Sequence, residues 1–253
     1  MVSLPSVVRA GATLVAQTTT SVVIIATSVA VRSAVTIGSR TVTEKTKGLR
    51  PAGGQPDKRR AILTGALALF ARDGYTRASL DGIAAEAGVS SRTIYNHFRD
   101  KAQLFEAVIQ ESSGRVADTQ IAIIDRHLSK IVDLEADLVE FGTAWVAVMD
   151  SAAAPHFALV RQIHAELEHI PQTAVDAWRE TGPRRVRGEL AERLGRIADR
   201  GSLRIPDPDR AAVHLMLLVS NDNLPYGADR RNEKELTAMV TAGVHTFLHG
   251  YRP

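Results

Sequence analysis

The chain has 253 residues, 45% of them hydrophobic and 23% charged, which suits one large or two modest folded domains and excludes disorder throughout. It contains no cysteine, so disulfides, thiolate metal sites, Fe–S ligation and a cysteine nucleophile are all excluded. The formal net charge is only +3, but residues 1–56 carry six Lys/Arg against Glu44 and residues 57–101 carry eight against five acids, leaving 102–253 acidic. A basic front on an acidic rear suggests one part facing a polyanion and another with a different task.

From Met1 to Arg50 the chain is rich in Val, Ala, Ser and Thr, with no acid before Glu44. An apolar run opens at Val22 and ends at Arg32, short of the ~20 residues a membrane helix needs. Arg9 ahead of that run gives a faint signal-peptide pattern, but the charge lies too far from the apolar stretch. The segment is expected to be a poorly ordered or weakly helical appendage, or upstream sequence from a mis-assigned start; attachment to a membrane surface or a partner is the alternative. Lys47 to Pro56 has the Gly/Pro density of a linker, so residues 1–56 are set apart and folding is expected to begin near Asp57.

Asp57 is the expected N-cap of a first helix, in which Ile62, Ala66, Leu69 and Phe70 form one apolar stripe. Gly74 is its left-handed stop. Ser79 caps a second, short helix with Leu80, Ile83, Ala84 and Ala87 turned inward, ending at Gly88. A serine of the Ser90-Ser91 pair caps a third helix through Phe98, and Asp100 caps a fourth with Leu104, Phe105, Val108 and Ile109 at helical spacing. Two short helices joined by Ala-Gly-Val-Ser meet the demands of a helix-turn-helix. Ala84 permits close helix approach, Gly88 takes a positive φ, and Val89 plugs the corner. The exposed face of the third helix offers Ser91, Arg92, Thr93, Tyr95, Asn96 and His97, hydrogen-bonding groups of the kind that reach base edges and phosphates.

Ser79-Leu80-Asp81-Gly82-Ile83-Ala84-Ala85-Glu86-Ala87-Gly88-Val89-Ser90-Ser91-Arg92-Thr93-Ile94-Tyr95-Asn96-His97-Phe98-Arg99-Asp100-Lys101 resembles the DNA-binding signature of the TetR family of bacterial transcriptional regulators. That resemblance implies a third helix lying in the major groove. Arg92, Thr93 and Asn96 are then the base-contacting candidates, Arg92 suited to guanine and Asn96 to adenine. Tyr95 and His97 are expected at phosphates. Lys101, at the start of the fourth helix, is expected to hold one phosphate with the helix N–H groups, and Ser79 another. The alternatives are packing of His97 beside Phe98, a purely capping Ser79 and a solvated Asn96. Lys58, Arg59 and Arg60 either follow the DNA backbone, enter the minor groove or form a solvated cap.

The rest is a series of long amphipathic stretches separated by breakers, with no hairpin signal. Helices are expected to about Leu128, across Leu134–Val148, from His156 to His169 with Phe157, Val160, Ile163 and Leu167 on one face, and on to Gly201 with a bend at Gly182-Pro183. Asp207 or Asp209 caps a helix through Val219 that is apolar around nearly its whole circumference, which implies burial on more than one side. The final helix spans about Glu233–His249. Ala-Pro-His-Phe near Pro155, Glu166 before Ile170-Pro171, Gly201-x-Leu203-Arg204, Asp209-x-Ala211-Ala212 and the ending Phe247-Leu248-His249-Gly250-Tyr251 resemble the AefR-like C-terminal domain of some TetR-type regulators.

The expected fold is therefore all-α: a three-helix helix-turn-helix DNA-binding domain at 57–105, then a helical effector-binding and dimerisation domain at 106–253. The resemblance implies a homodimer pairing through about 207–220 and 233–249, and reading a palindromic operator in double-stranded DNA with recognition helices ~34 Å apart. It also implies a pocket for a small-molecule effector; Trp145, Met149, Phe157, Val160, His164 and Trp178 are the candidate lining, with plain core packing as the alternative for each. His164 near Glu166 and Glu168 lacks an i+4 histidine partner, so no metal site is expected, and no cofactor motif is present. The function expected is ligand-controlled repression in the cytoplasm. A membrane- or partner-tethered protein acting through residues 1–50 is the alternative. Catalysis is disfavoured, because the chain has no Gly-rich phosphate loop, no recognisable Ser/His/Asp setting and no His-Glu-x-x-His.

Overall fold

The computed structural model describes residues 54–149, 151–220 and 232–252; the expected appendage over residues 1–50 lies outside them. All regular structure among the described residues is helical. Helix α1 is Gln55–Arg77, α2 Leu80–Glu86, α3 Ser91–Tyr95 and α4 Lys101–Leu128. They are followed by α5 Leu134–Met149, α6 Ala154–Ala165, α7 Gln172–Arg179, α8 Arg185–Asp199, α9 Pro208–Val219 and α10 Glu233–Tyr251.

Local sequence sets most helix ends. Ser79, Ser90, Asp100, Asp207 and Asn232 each accept a backbone N–H of the first turn they precede, satisfying donors that have no intrahelical partner. The first helix differs from expectation. It begins at Gln55, and Asp57 sits in its first turn, its carboxylate reaching back to the Gly54 N–H at 3.2 Å. Pro56 explains the earlier start, since a proline in the first turn has a preset φ and no N–H to leave unpaired. Helix α3 is also shorter than expected, five residues ending at Tyr95.

Two apolar cores result, both served by α4. The rear core joins Ile124 and Leu128 of α4 to Phe141 and Trp145 of α5, Leu190 and Leu194 of α8, Leu215 of α9 and Phe247 of α10. The front core contains Ile62, Phe70, Ile83, Ile94, Phe98 and Phe105 of the first hundred or so residues, and Phe105 packs edge-on to both Phe70 and Tyr75 with centroids 4.9 Å apart. That core does not close at residue 105. Leu159 and Ile163 of α6, Ile170, and Ala174, Val175 and Trp178 of α7 belong to it, and full burial of each large side chain is worth about 1.5–3 kcal/mol.

Helix α6 buries His156, Leu159 and Ile163, not the stripe through Phe157, Val160 and Leu167. The helix ends at Ala165, and Leu167 falls in a separate 3-10 turn, 42% exposed. The bend expected at Gly182-Pro183 is a π-helical turn over Glu180–Arg184, consistent with a proline that cannot donate within the ladder. No helix among the described residues is long and apolar enough to cross a membrane.

Candidate nucleic-acid interface

Helices α2 and α3 are joined through Gly88, at φ +64°, in the left-handed region where a side chain is strained. The Gly88 and Val89 N–H groups donate to Ala85 and Ala84 carbonyls at 3.2 and 2.9 Å, so the turn is tight and its amides are satisfied. Ile83, Ala84, Ile94 and Phe98 face inward, which leaves the other face of α3 outward. Ala84 is buried in the front core, and α1 also comes close to the end of α2 at Gly65, where a Cβ would stand 2.8 Å from the Ala87 backbone nitrogen. A glycine in mid-helix costs about 1 kcal/mol relative to alanine, and that cost was the sequence signal for Gly65 as a packing position.

The side chains offered to solvent fall into two groups. Arg92 and Asn96 are exposed, and Tyr95 is 59% exposed. Thr93 and His97 are half-buried; the Thr93 hydroxyl lies 2.9 Å from Ser90 Oγ, and the His97 ring lies 6.4 Å from that of Phe98. Besides Thr93, three expected DNA-contacting residues are already engaged within the molecule. Ser79 Oγ accepts the Gly82 N–H at 3.1 Å. Ser91 Oγ donates to Asp81 Oδ1 at 2.5 Å, tying the start of α3 to α2.

Lys101 departs furthest from expectation. Its Nζ donates to the carbonyls of Tyr75, Thr76 and Ala78 at 2.9, 3.3 and 3.1 Å and lies 4.6 Å from the Tyr75 ring centre. An ammonium has three N–H donors, and all three are spent on the α1–α2 turn. The physical reason is that the carbonyls at this helix end need donors, and Lys101 is the cation that reaches them. Among the basic residues at the front, Arg59 lies over the Phe98 ring at 5.6 Å and 3.7 Å from Glu111. Lys58 and Arg60 are exposed.

The six residues expected to line an effector pocket are not gathered in one place. Trp145 belongs to the rear core, 5.5 Å from Phe141. Trp178 and Val160 belong to the front core, with the exposed His164 edge-on to Trp178 at 5.4 Å. Phe157 stacks edge-on against His156, and Met149 is half-buried at the end of α5. A polar element at this level of the bundle escaped the sequence reading. The buried His156 has Nδ1 3.1 Å from Ser112 Oγ of α4, and burial, with Arg115 adding to it, lowers its pKa to about 4. Ser113 Oγ and Trp145 Nε1 are buried without a hydrogen-bond partner among the described residues. A separate apolar cleft of about 320 Å³ opens on α9 and α10, lined by His214, Leu217, Leu218, Thr246, Phe247, Gly250 and Tyr251.

Comparison with known proteins places this arrangement in a family. Residues 62–108 match the model of the bacterial regulatory proteins of the tetR family. Residues 136–253 match the C-terminal domain of AefR-like transcriptional repressors. The HTH-type transcriptional repressor Rv1474c of Mycobacterium tuberculosis is 42% identical over 60 residues, which is 24% of this chain and 32% of that protein; curated relatives are thus matched over about a third of their length. Solved structures align far more fully. A chain from Mesorhizobium loti assigned to the TetR-family transcriptional regulators is 30% identical with a TM-score of 0.68, covering 79% of this chain and 99% of that one. The flavonoid-responsive regulator FrrA is 25% identical with a TM-score of 0.58, covering 78% and 98%. With the tight Gly88 turn, the outward face of α3 and an alignment that covers nearly the whole of a solved relative, the chain belongs to the TetR family of transcriptional regulators.

Proposed function

We propose that the protein is a sequence-specific DNA-binding repressor that acts as a homodimer on a palindromic operator in the cytoplasm and is released by a small, mostly apolar effector. The observation that carries this reading is the geometry of α3. Arg92, Tyr95 and Asn96 stand on its solvent face and, among the described residues, no hydrogen bond or ion pair engages their side chains, while Ile94 anchors the opposite face at zero exposure. Arg92 supplies the bidentate donor for guanine and Asn96 the donor–acceptor pair for adenine. Thr93 adds a third base contact, and Tyr95 and His97 position the helix on phosphates. Ser79, Ser91 and Lys101 contribute by holding α2 and α3 in place, with any phosphate contact secondary to that.

Pairing of the protomers is assigned to α9 and α10, over about 207–220 and 233–249. Leu217 is 55% exposed there beside the apolar cleft, and a second copy would cover both. The effector region is assigned to α5–α7, which carry Trp145, Met149, Phe157, Val160, His164 and Trp178, with Trp145 packed in the rear core and Trp178 in the front core. A solved relative named for its response to a flavonoid, an aromatic compound, supports a mostly apolar ligand. Release would follow from tighter effector binding to a conformer whose two heads are wrongly spaced. No catalytic role is assigned.

The decisive experiment incubates the full-length protein with fragmented genomic DNA and sequences what is retained. A shared palindrome in the bound fragments is the expected outcome. Retention of fragments without any common motif would overturn the reading. Arg92→Ala should then relax discrimination at one base position per half-site by about 1–3 kcal/mol.

A further inference from the structure

We propose that Glu166, at the end of α6, is a positioning residue for DNA binding: its carboxylate holds the turn that delivers the chain into α2, so the placement of α6 sets that of α2 and α3. This inference rests on the reading of α3 as the DNA-contacting helix.

The α1–α2 turn is gripped from both sides. Glu166 Oε2 accepts the Thr76 N–H at 2.8 Å and the Thr76 hydroxyl at 3.0 Å, across 90 residues of sequence. Lys101 takes the carbonyls on the other side of the same turn. An anion serves the donors of this turn and a cation its acceptors, and such charge-assisted hydrogen bonds are stronger than neutral ones. Burial works against the Glu166 charge, but the Thr76 N–H and hydroxyl, with Arg77 nearby, hold its carboxyl below the ordinary value. The group is therefore ionised at neutral pH.

Gly74 makes room for this contact. It sits at φ +82°, and a Cβ there would lie almost on Glu166 Oε1, with Gln162 Oε1 3.2 Å away. Both of these acceptors belong to the last turn of α6 or its cap. From the turn, the chain passes through the buried Ala78 to Ser79, the N-cap of α2. Asp81 of α2 then accepts from Ser91 at the start of α3. Every step from α6 to α3 is thus a direct contact or a covalent neighbour. Because both bonds to Thr76 are near optimal length, moving α6 by about 1 Å would take them out of hydrogen-bond range. A shift of that size within α5–α7 would release the turn.

The test uses the full-length protein with Glu166→Ala, Glu166→Gln, Thr76→Ala and the double variant Glu166→Ala/Thr76→Ala. Affinity is measured for the duplex recovered by genomic selection, together with hydrogen–deuterium exchange along the chain. Glu166→Ala should weaken binding by about tenfold and speed exchange across residues 76–96, since two charge-assisted bonds are lost. Exchange in α5 should be unchanged. Glu166→Gln keeps a carbonyl acceptor for both donors and should stay within about threefold of the native protein. The double variant should be no weaker than Glu166→Ala alone, because both changes break one contact. Native affinity with native exchange in Glu166→Ala would overturn the proposal. So would exchange rising equally in α5, which marks general destabilisation instead of positioning. If the native protein binds no duplex, the DNA-binding reading fails, while the exchange pattern still decides whether Glu166 holds the turn.

Discussion

Gly65→Ala and Gly188→Ala are the same chemical change in two helices, and the structure assigns them opposite signs. At Gly188, in α8, an added Cβ meets no atom within 4 Å, so only the better helix propensity of alanine acts, about 1 kcal/mol of stabilisation. At Gly65 the new methyl would stand 2.8 Å from the Ala87 nitrogen and 3.0 Å from both its Cα and Cβ. Ordinary contact begins about half an ångström further out, and the obstacle is largely backbone. The Ala87 N–H donates to the Ile83 carbonyl at 2.9 Å, so the end of α2 cannot turn aside alone. Overpacking of this kind costs about 1–3 kcal/mol, against the same propensity gain of about 1 kcal/mol. The two variants should therefore differ by about 1–3 kcal/mol, or on the order of 5 °C in melting temperature for a chain of this size. Thermal unfolding followed by circular dichroism measures the difference directly. Ala87 also precedes the Gly88 turn, so Gly65→Ala should weaken operator binding while Gly188→Ala leaves it unaltered. A Gly65→Ala protein melting at or above Gly188→Ala would refute the close backbone contact.

Three further outcomes are expected. His156 is held neutral by burial and titrates at about 4 instead of 6.5, so the unfolded chain binds more protons between those values. Stability contributed by this group is complete above pH 6.5 and is lost as the pH falls towards 4, by up to about 3 kcal/mol; the urea midpoint of His156→Gln should lack that part of the acid slope. Lys101→Met keeps the aliphatic stem but removes the three bonds to carbonyls, and equilibrium urea unfolding should record a loss of about 1–3 kcal/mol; an unchanged midpoint would mean that water serves those carbonyls equally well. Leu217→Glu places a charge in the apolar cleft on α9 and α10, and sedimentation should show the dimer dissociating at concentrations where the native protein stays paired. A variant that stays dimeric would move the interface elsewhere.

What the sequence discloses and what it withholds divide along a physical line. Caps act within three residues, so Ser79, Asp100 and Asp207 can be recognised from their neighbours alone, and Gly88 is required by the shortness of its turn. The bonds of Lys101 are hidden from its neighbours in sequence, because the carbonyls it serves lie 23 to 26 residues back. Ser91 is a similar case, since the same hydroxyl suits a phosphate or the Asp81 carboxylate equally well. The face that α6 buries is hidden for another reason. Phe157, Ala158, Leu159 and Val160 are consecutive and apolar, and a run of that kind fits more than one helical stripe. Only the end of the helix at Ala165, followed by Glu166 bonded to Thr76, fixes which stripe faces α1. The size and aromaticity of the candidate effector lining mark buried residues without saying which core receives them.

The sharing of α6 and α7 with the front core has a spectroscopic consequence. The chain has two tryptophans, and the folding pattern deals one to each core: Trp145 to the rear, Trp178 to the front. Trp145→Phe leaves an indole whose emission follows the DNA-reading end of the molecule, even though that residue lies far from it in sequence. Trp178→Phe leaves one that follows the rear bundle. Both signals should melt together, because α4 runs through both cores and leaves no seam at which they could part. A compound that binds the rear bundle would then announce itself in the light emitted from the front.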